Sequence, residues 1–189
     1  FQELKVSKAL IDKDAIYTQE GQPLQAASNV VIGGIVPYAG EYGISTNPES
    51  FGVFGYRKYF ADRTKNLILR LSQDGITEIS MYGMIDFFRD NLAGAGSLPI
   101  VGGYDMHNKQ YIVSIGGAEG KVKNGFDPET VSFDEAVKGW TSRFDYFPDA
   151  IGSLRNNLYT YFEGEIWQHY STSVNRAQFY NTTHTSSVN

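Results

Sequence analysis

Between Asn47 and Ser80 the chain passes through three closely spaced apolar segments, 50–60, 67–72 and 76–80, separated by Asp62-Arg-Thr-Lys-Asn66 and Gln73-Asp-Gly75. Leu67, Leu69 and Leu71 alternate with Ile68, Arg70 and Ser72, the period-two pattern of a strand with two different faces. Gly75 relieves the steric cost of positive φ, so 73–75 reads as a hairpin connection. One continuous stretch therefore predicts a three-strand antiparallel meander, and an all-β chain follows if the pattern recurs.

It does recur. Tyr104-Asp105 turns through His107-Asn-Lys109 into 111–115, 130–133 is a short strand, and 140–146 another. Asn157-Leu-Tyr-Thr-Tyr-Phe162 and 165–170 are two aromatic-rich strands joined by Glu163-Gly164, the clearest hairpin in the chain. Residues 4–10 and 15–18 read as short strands, 29–36 as a buried strand, and 37–48 as a loop carrying Asn47-Pro48. Gly116 to Glu129 reads as a projecting loop, and 134–138 as a helical turn. The exception to the strand grammar is 84–92, where Met84, Phe87, Phe88 and Leu92 share one helical face and Asp86 and Asp90 the other. So short a helix needs a sheet to dock on.

Turn residues near Lys65, Lys109 and Gly164 recur at intervals of about 44 and 55 residues, close to the period of a four-stranded propeller blade. The fold class expected is all-β, with antiparallel, propeller-blade-like meander sheets and one short helix. Residues 1–28 form a lead-in segment, 29–181 the β-rich region and 182–189 a polar tail. The first residue is Phe1, and the chain reads as a fragment of a longer one.

Composition narrows the function classes. The 13 Tyr, 12 Phe and 20 Gly favour strands and tight turns. Sixteen basic against 21 acidic residues leave a net charge of −5, which supplies no general field for nucleic acid. Without cysteine there is no disulfide, thiolate metal site or cysteine nucleophile. No apolar run reaches the roughly 18–20 residues of a membrane helix.

Candidate chemistry is sparse. His107, His169 and His184 make no metal-ligand spacing and read as surface or turn residues. Gly152-Ser153 lacks the strand-turn-helix context of a nucleophile elbow. The glycine pairs 33–34, 102–103 and 116–117 open no phosphate loop, so close backbone approach or a bulge is the better reading. Asp105, Asp134, Glu135, Glu163 and Glu165 could ring a propeller channel as glycosidase carboxylates. Hairpin tips and helix starts favour acids for structural reasons as well. Tyr159, Tyr161, Trp167 and Tyr170 fit either a sugar-stacking surface or a strand interface. No catalytic, cofactor-binding or metal residue is assigned, and no cofactor is expected.

Asn47 to Asp62, Leu69-Arg-Leu-Ser-x-Asp-Gly-Ile-Thr-Glu-Ile-Ser80, Phe133-Asp-Glu-x-x-x-Gly-Trp-Thr-Ser142 and Asn157-Leu-Tyr-Thr-Tyr resemble large tail, neck or muzzle proteins of tailed bacteriophages, including crAss-like and marine phages. The resemblance spans about residues 30–180. It implies a non-enzymatic virion component whose partners are other virion proteins and copies of itself, and it supplies no functional residues. The alternative is a carbohydrate-binding or glycoside-cleaving propeller with Trp140, Trp167 and the tyrosines lining a sugar cleft.

Overall fold

A computed structural model describes residues 1–10, 16–17, 23–24, 34–117 and 126–185. At the N-terminus β1 (Ser7–Leu10) pairs antiparallel with β4 (Gly34–Pro37), and β2 (Ile16–Tyr17) with β3 (Pro23–Leu24). The first large sheet is a four-stranded meander, β5 (Gly52–Phe54), β6 (Arg57–Asp62), β7 (Leu67–Ser72) and β8 (Gly75–Glu78). Helix α1 (Ile85–Gly94) follows.

The second sheet repeats the four-stranded order with β9 (Ile100–Asp105), β10 (Gln110–Ile115), β11 (Glu129–Asp134) and β12 (Gly139–Phe144). The third has three strands, β13 (Ala150–Leu154), β14 (Asn157–Phe162) and β15 (Glu165–Gln168). A short ribbon of β16 (Gln178–Phe179) and β17 (Thr182–Thr183) ends the described chain. All pairings are antiparallel, and no sheet closes on itself among the described residues. No described helix is long and apolar enough to cross a membrane.

Alternation along each strand decides how the sheets stack. In the first sheet Tyr59, Ala61 and Ile68 point one way, onto Tyr104, Tyr111, Val113 and Phe133 of the second. Tyr59 lies 4.9 Å from Tyr111 and 5.7 Å from Tyr104, and Phe54 stacks on Tyr104 at 4.4 Å, so rings interleave across the junction. Phe60, Leu69 and Leu71 point the other way and are covered by Val6, Tyr38, Tyr42 and Ile44 of the N-terminal segment. Buried Asp62 fastens that cover by accepting from Gly43 N–H at 3.1 Å and Ser45 Oγ at 3.0 Å.

Helix α1 fills a wedge between the first two sheets. No side chain caps its N-terminus, so docking must hold it. Phe88 and Leu92 are fully buried, and the Phe88 ring lies 4.4 Å from Trp140 of β12. Trp140 in turn donates from Nε1 to the Ile79 carbonyl at 3.0 Å, linking the second sheet to the end of the first.

Four expectations are corrected. The described part of the supposed buried strand, β4, is exposed, with Ile35 at 71%, because a two-stranded ribbon offers no third layer; residues 29–33 lie outside the described residues. Asp134 ends β11 and 135–138 form its hairpin turn, with Lys138 at φ +51°, in place of a helical turn. Within the expected projecting loop, Gly116 and Gly117 are buried and Glu129 already belongs to β11; 118–125 lie outside the described residues. The turns at Lys65, Lys109 and Gly164 are not all equivalent: those at Lys65 and Gly164 follow the second strands of their sheets, β6 and β14, whereas that at Lys109 follows a first strand, β9. Similar turn residues close every hairpin of a meander, so spacing alone compares unlike turns.

The Glu163-Gly164 hairpin stands as expected. Phe162 pairs with Glu165, and both turn residues have positive φ, +51° and +85°, the combination that suits the twist of the flanking strands.

Candidate functional site

The carboxylates proposed for a channel do not converge. Glu135, just past β11, accepts from Tyr59 Oη at 2.8 Å and Arg70 Nη1 at 2.7 Å, with Arg57 Nε at 3.8 Å. Burial, reinforced by the Glu135 hydrogen bond, pushes the Tyr59 phenol well above its ordinary range, so it stays a donor. Glu135 thus ties the first sheet to the second. An open cleft of about 510 Å³ lies beside it, walled by Tyr56, Arg57, Ser72, Asp74 and Lys138.

Asp105 is fully buried at the end of β9 and accepts from His107 N–H at 2.9 Å and Tyr170 Oη at 2.5 Å. Asp134 accepts from Ala136 N–H at 2.7 Å and Gln110 Nε2 at 3.3 Å. Gln110 pairs in register with both aspartates, so they flank it in one row across β9, β10 and β11. Glu163 and Glu165 are exposed on the third sheet. Each of the three inner carboxylates is an acceptor that fixes a turn or a sheet junction.

The histidines divide. His107 is exposed and stacks on Tyr170 at 4.7 Å, and His184 lies 3.6 Å from Asp145. His169, expected at the surface, is buried at 8% exposure with Nε2 2.8 Å from Thr160 Oγ1. It belongs to a ring cluster with Tyr146 at 4.8 Å and Phe179 at 6.0 Å, because the end of β15 faces the second sheet. Burial lowers its pKa to about 4, opposed by the Asp105 charge. Among the described residues no group of three His, Asp or Glu is placed to hold a metal ion.

That shift has a pH signature. An unfolded histidine protonates near its ordinary 6.5 while folded His169 waits until about 4, so its contribution is full above pH 6.5 and falls as pH drops toward 4. A shift of this size corresponds to a loss on the order of 3 kcal/mol over that window. Urea unfolding at pH 7 and pH 4.5 should show a smaller drop in the His169→Gln variant than in the parent, which cancels the carboxylates common to both. Equal drops would refute the assignment.

The aromatic stripe also divides. Trp167 lies 5.5 Å from Tyr180, which stacks on Phe162 at 4.2 Å. Trp167 and Tyr180, with Tyr170 and Phe179, border a cleft of about 340 Å³. Trp140 is half-buried against the core between Phe88 and Phe133 and does not border the cleft that Trp167 lines. On the opposite face of the third sheet, Ala150, Tyr161 and Ile166 form one cross-strand row, flanked by Gly152, Tyr159 and Leu154. Ile166 is 75% exposed, Leu154 65% and Tyr161 42%. This sheet face is open and largely apolar among the described residues, and its chemistry is that of contact.

Searches of protein-family models and of curated proteins found no match to this chain.

The close approach expected at Gly102-Gly103 is present, but sequence reasoning missed Gly52 and Gly152 and the register position they share with Gly103. Gly52 pairs with Tyr59, Gly103 with Ile112, and Gly152 with Tyr159, each the third cross-strand pair from the first hairpin turn of its sheet. A Cβ on Gly52 would lie 2.9 Å from the Tyr111 ring of the second sheet, and one on Gly103 would lie 2.5 Å from Ile151 Cγ2 of the third. The glycines admit the neighbouring sheet where the first strands come closest. Their recurrence at about 50-residue intervals was a legible signal.

Proposed function

We propose that this chain is a non-enzymatic structural component of a tailed-bacteriophage virion, acting in the tail or neck through contacts with copies of itself and with other virion proteins. The observation that carries this reading is the open apolar face of β13–β15 at the end of a stack of meander sheets, where Ile166, Leu154 and Tyr161 face solvent. Its four-stranded sheets would serve as propeller-like blades, and Glu135 and Asp105 as rivets within and between them. The sequence resemblance to tail, neck and muzzle proteins points the same way.

The test is compositional. Purified particles from the phage whose genome encodes the chain should contain it in many copies per capsid by quantitative mass spectrometry, and a deletion should leave tailless or leaky particles. Its absence from intact, infectious particles would refute the reading. The 340 Å³ cleft bordered by Trp167, Tyr170, Phe179 and Tyr180 favours one second reading, glycan binding. Saturable binding of a host-surface oligosaccharide, lost in Trp167→Ala, would establish it.

A further inference from the structure

At the edge of the junction between the first and second sheets lies the cleft of about 510 Å³ beside Glu135. Strand register explains what lines it. Tyr59 and Arg70 pair across β6 and β7 and both reach Glu135, so they share the face turned toward the second sheet. Arg57 and Ser72 lie two positions further along the same strands and share that face. The β5–β6 turn adds Tyr56 and the β7–β8 turn adds Asp74, while the second sheet contributes Glu135 and Lys138 from its β11–β12 turn.

The charges of this cleft are unevenly satisfied. Arg70 donates to Glu135 at 2.7 Å and to Thr77 Oγ1 at 3.3 Å, and Glu135 also accepts from Tyr59, so that pair is a tie between sheets. Arg57 stands 3.8 Å from Glu135, too far for a hydrogen bond. Neither its guanidinium nor the Lys138 ammonium has a hydrogen-bond partner among the described residues. Arg70 Nε and Ser72 Oγ, both shielded from water, also lack one. Arg57, Arg70 and Lys138 against Glu135 and Asp74 leave a surplus of one positive charge in a chain whose net charge is −5. Donors without acceptors call for an acceptor, and the surplus suits one of single negative charge. A carboxylate meets both conditions, whereas a polyphosphate would be repelled by the two acids.

The rest of the wall indicates what carries the carboxylate. Tyr56 is 76% exposed at the lip and makes no ring contact among the described residues, which leaves its face free for stacking. Asp74, exposed beside it, is an acceptor for hydroxyl groups. We propose that this cleft binds a carboxylated sugar, a uronic or sialic acid residue, with the carboxylate held by Arg57 and Lys138, hydroxyls donating to Asp74, and the ring lying on Tyr56. Its volume falls in the roughly 300–1,000 Å³ range of small-ligand sites. The site shares no residue with the Trp167 cleft and is independent of the virion assignment.

Amide NMR titration of the whole chain with glucuronic acid and with N-acetylneuraminic acid, against glucose and acetate, tests the proposal. At least one acidic sugar should bind saturably in the millimolar range, with shifts at residues 55–57, 73–74 and 135–138. Glucose lacks the charge and acetate the ring, so each should bind about tenfold more weakly or not at all. Arg57→Gln and Lys138→Gln should each weaken binding by about tenfold, the effect of losing one charge-assisted hydrogen bond, and Tyr56→Ala should weaken it as well. All three side chains lack hydrogen-bond or ring partners, so the variants should keep the parent Tm, and Trp167→Ala should bind as the parent does. Rising ionic strength should weaken binding of the acidic sugars, a readout that needs no variant.

No saturable shift with either acidic sugar up to its solubility would overturn the proposal. So would glucose binding as well as the acidic sugars, acetate binding as well as they do, or shifts confined to residues 167–181, where the other cleft lies. Binding by an acidic peptide in place of both sugars would give the cleft to a protein partner and overturn the sugar assignment.

Discussion

Replacing Phe88 with alanine is expected to cost roughly 3–5 kcal/mol, the range for removing a fully buried aromatic ring. The ring is 0% exposed and sits between the helix and two sheets, 4.4 Å from Trp140 and 5.1 Å from Phe87. Collapse into the cavity is resisted on each side. Trp140 is anchored by its bond to the Ile79 carbonyl, and Ile79 and Leu92 are themselves fully packed. The helix also lacks a side-chain cap, so losing its main anchor should fray it. Denaturant unfolding would measure the cost, and amide exchange should show residues 85–94 losing protection before the strands. A loss under about 1 kcal/mol would mean that the helix docks by other residues.

Gly103→Val is the second large effect, and its sign is the informative part. By intrinsic preference valine in a strand should help by up to about 1 kcal/mol. Here the new Cβ would stand 2.5 Å from Ile151 Cγ2, 2.8 Å from Ile151 Cβ and 3.1 Å from the Ile151 carbonyl oxygen. The first two atoms belong to a side chain, but the third is backbone and cannot turn away. Prising β13 from β9 also strains the Ser153 bond to the Tyr104 carbonyl at 2.6 Å. Overpacking of this kind costs about 1–3 kcal/mol or more, which outweighs the propensity gain. Thermal unfolding should therefore show Gly103→Val destabilised, while Gly103→Val with Ile151→Ala recovers part of the loss through relief of the shared clash. A stabilised Gly103→Val would mean that the second and third sheets do not approach as described.

Contacts that span short stretches of chain were legible. The β6–β8 meander, the helix face of Phe87, Phe88 and Leu92, and the β14–β15 hairpin all follow from periods and turn residues acting over a few positions. The candidate site was legible only in part. Aromatic strands 157–162 and 165–170 were marked as an interface or sugar surface, but one sequence could not say which face is open. Tyr159, Tyr161 and Ile166 lie outward while Trp167 and His169 turn inward, and that division depends on which sheet covers the strand.

What the amino-acid order determined by itself is the grammar of strands, turns and one amphipathic helix, because those depend on side-chain alternation and local backbone preference. Tertiary structure alone decided the stacking order, the burial of His169, and the capture of Glu135 by Tyr59 and Arg70 from 76 and 65 residues away. Such contacts carry no local period; they exist because glycines at equivalent positions let one sheet close on the next. The same geometry left Gly152 uncovered, since a sheet face is buried only when another layer reaches it.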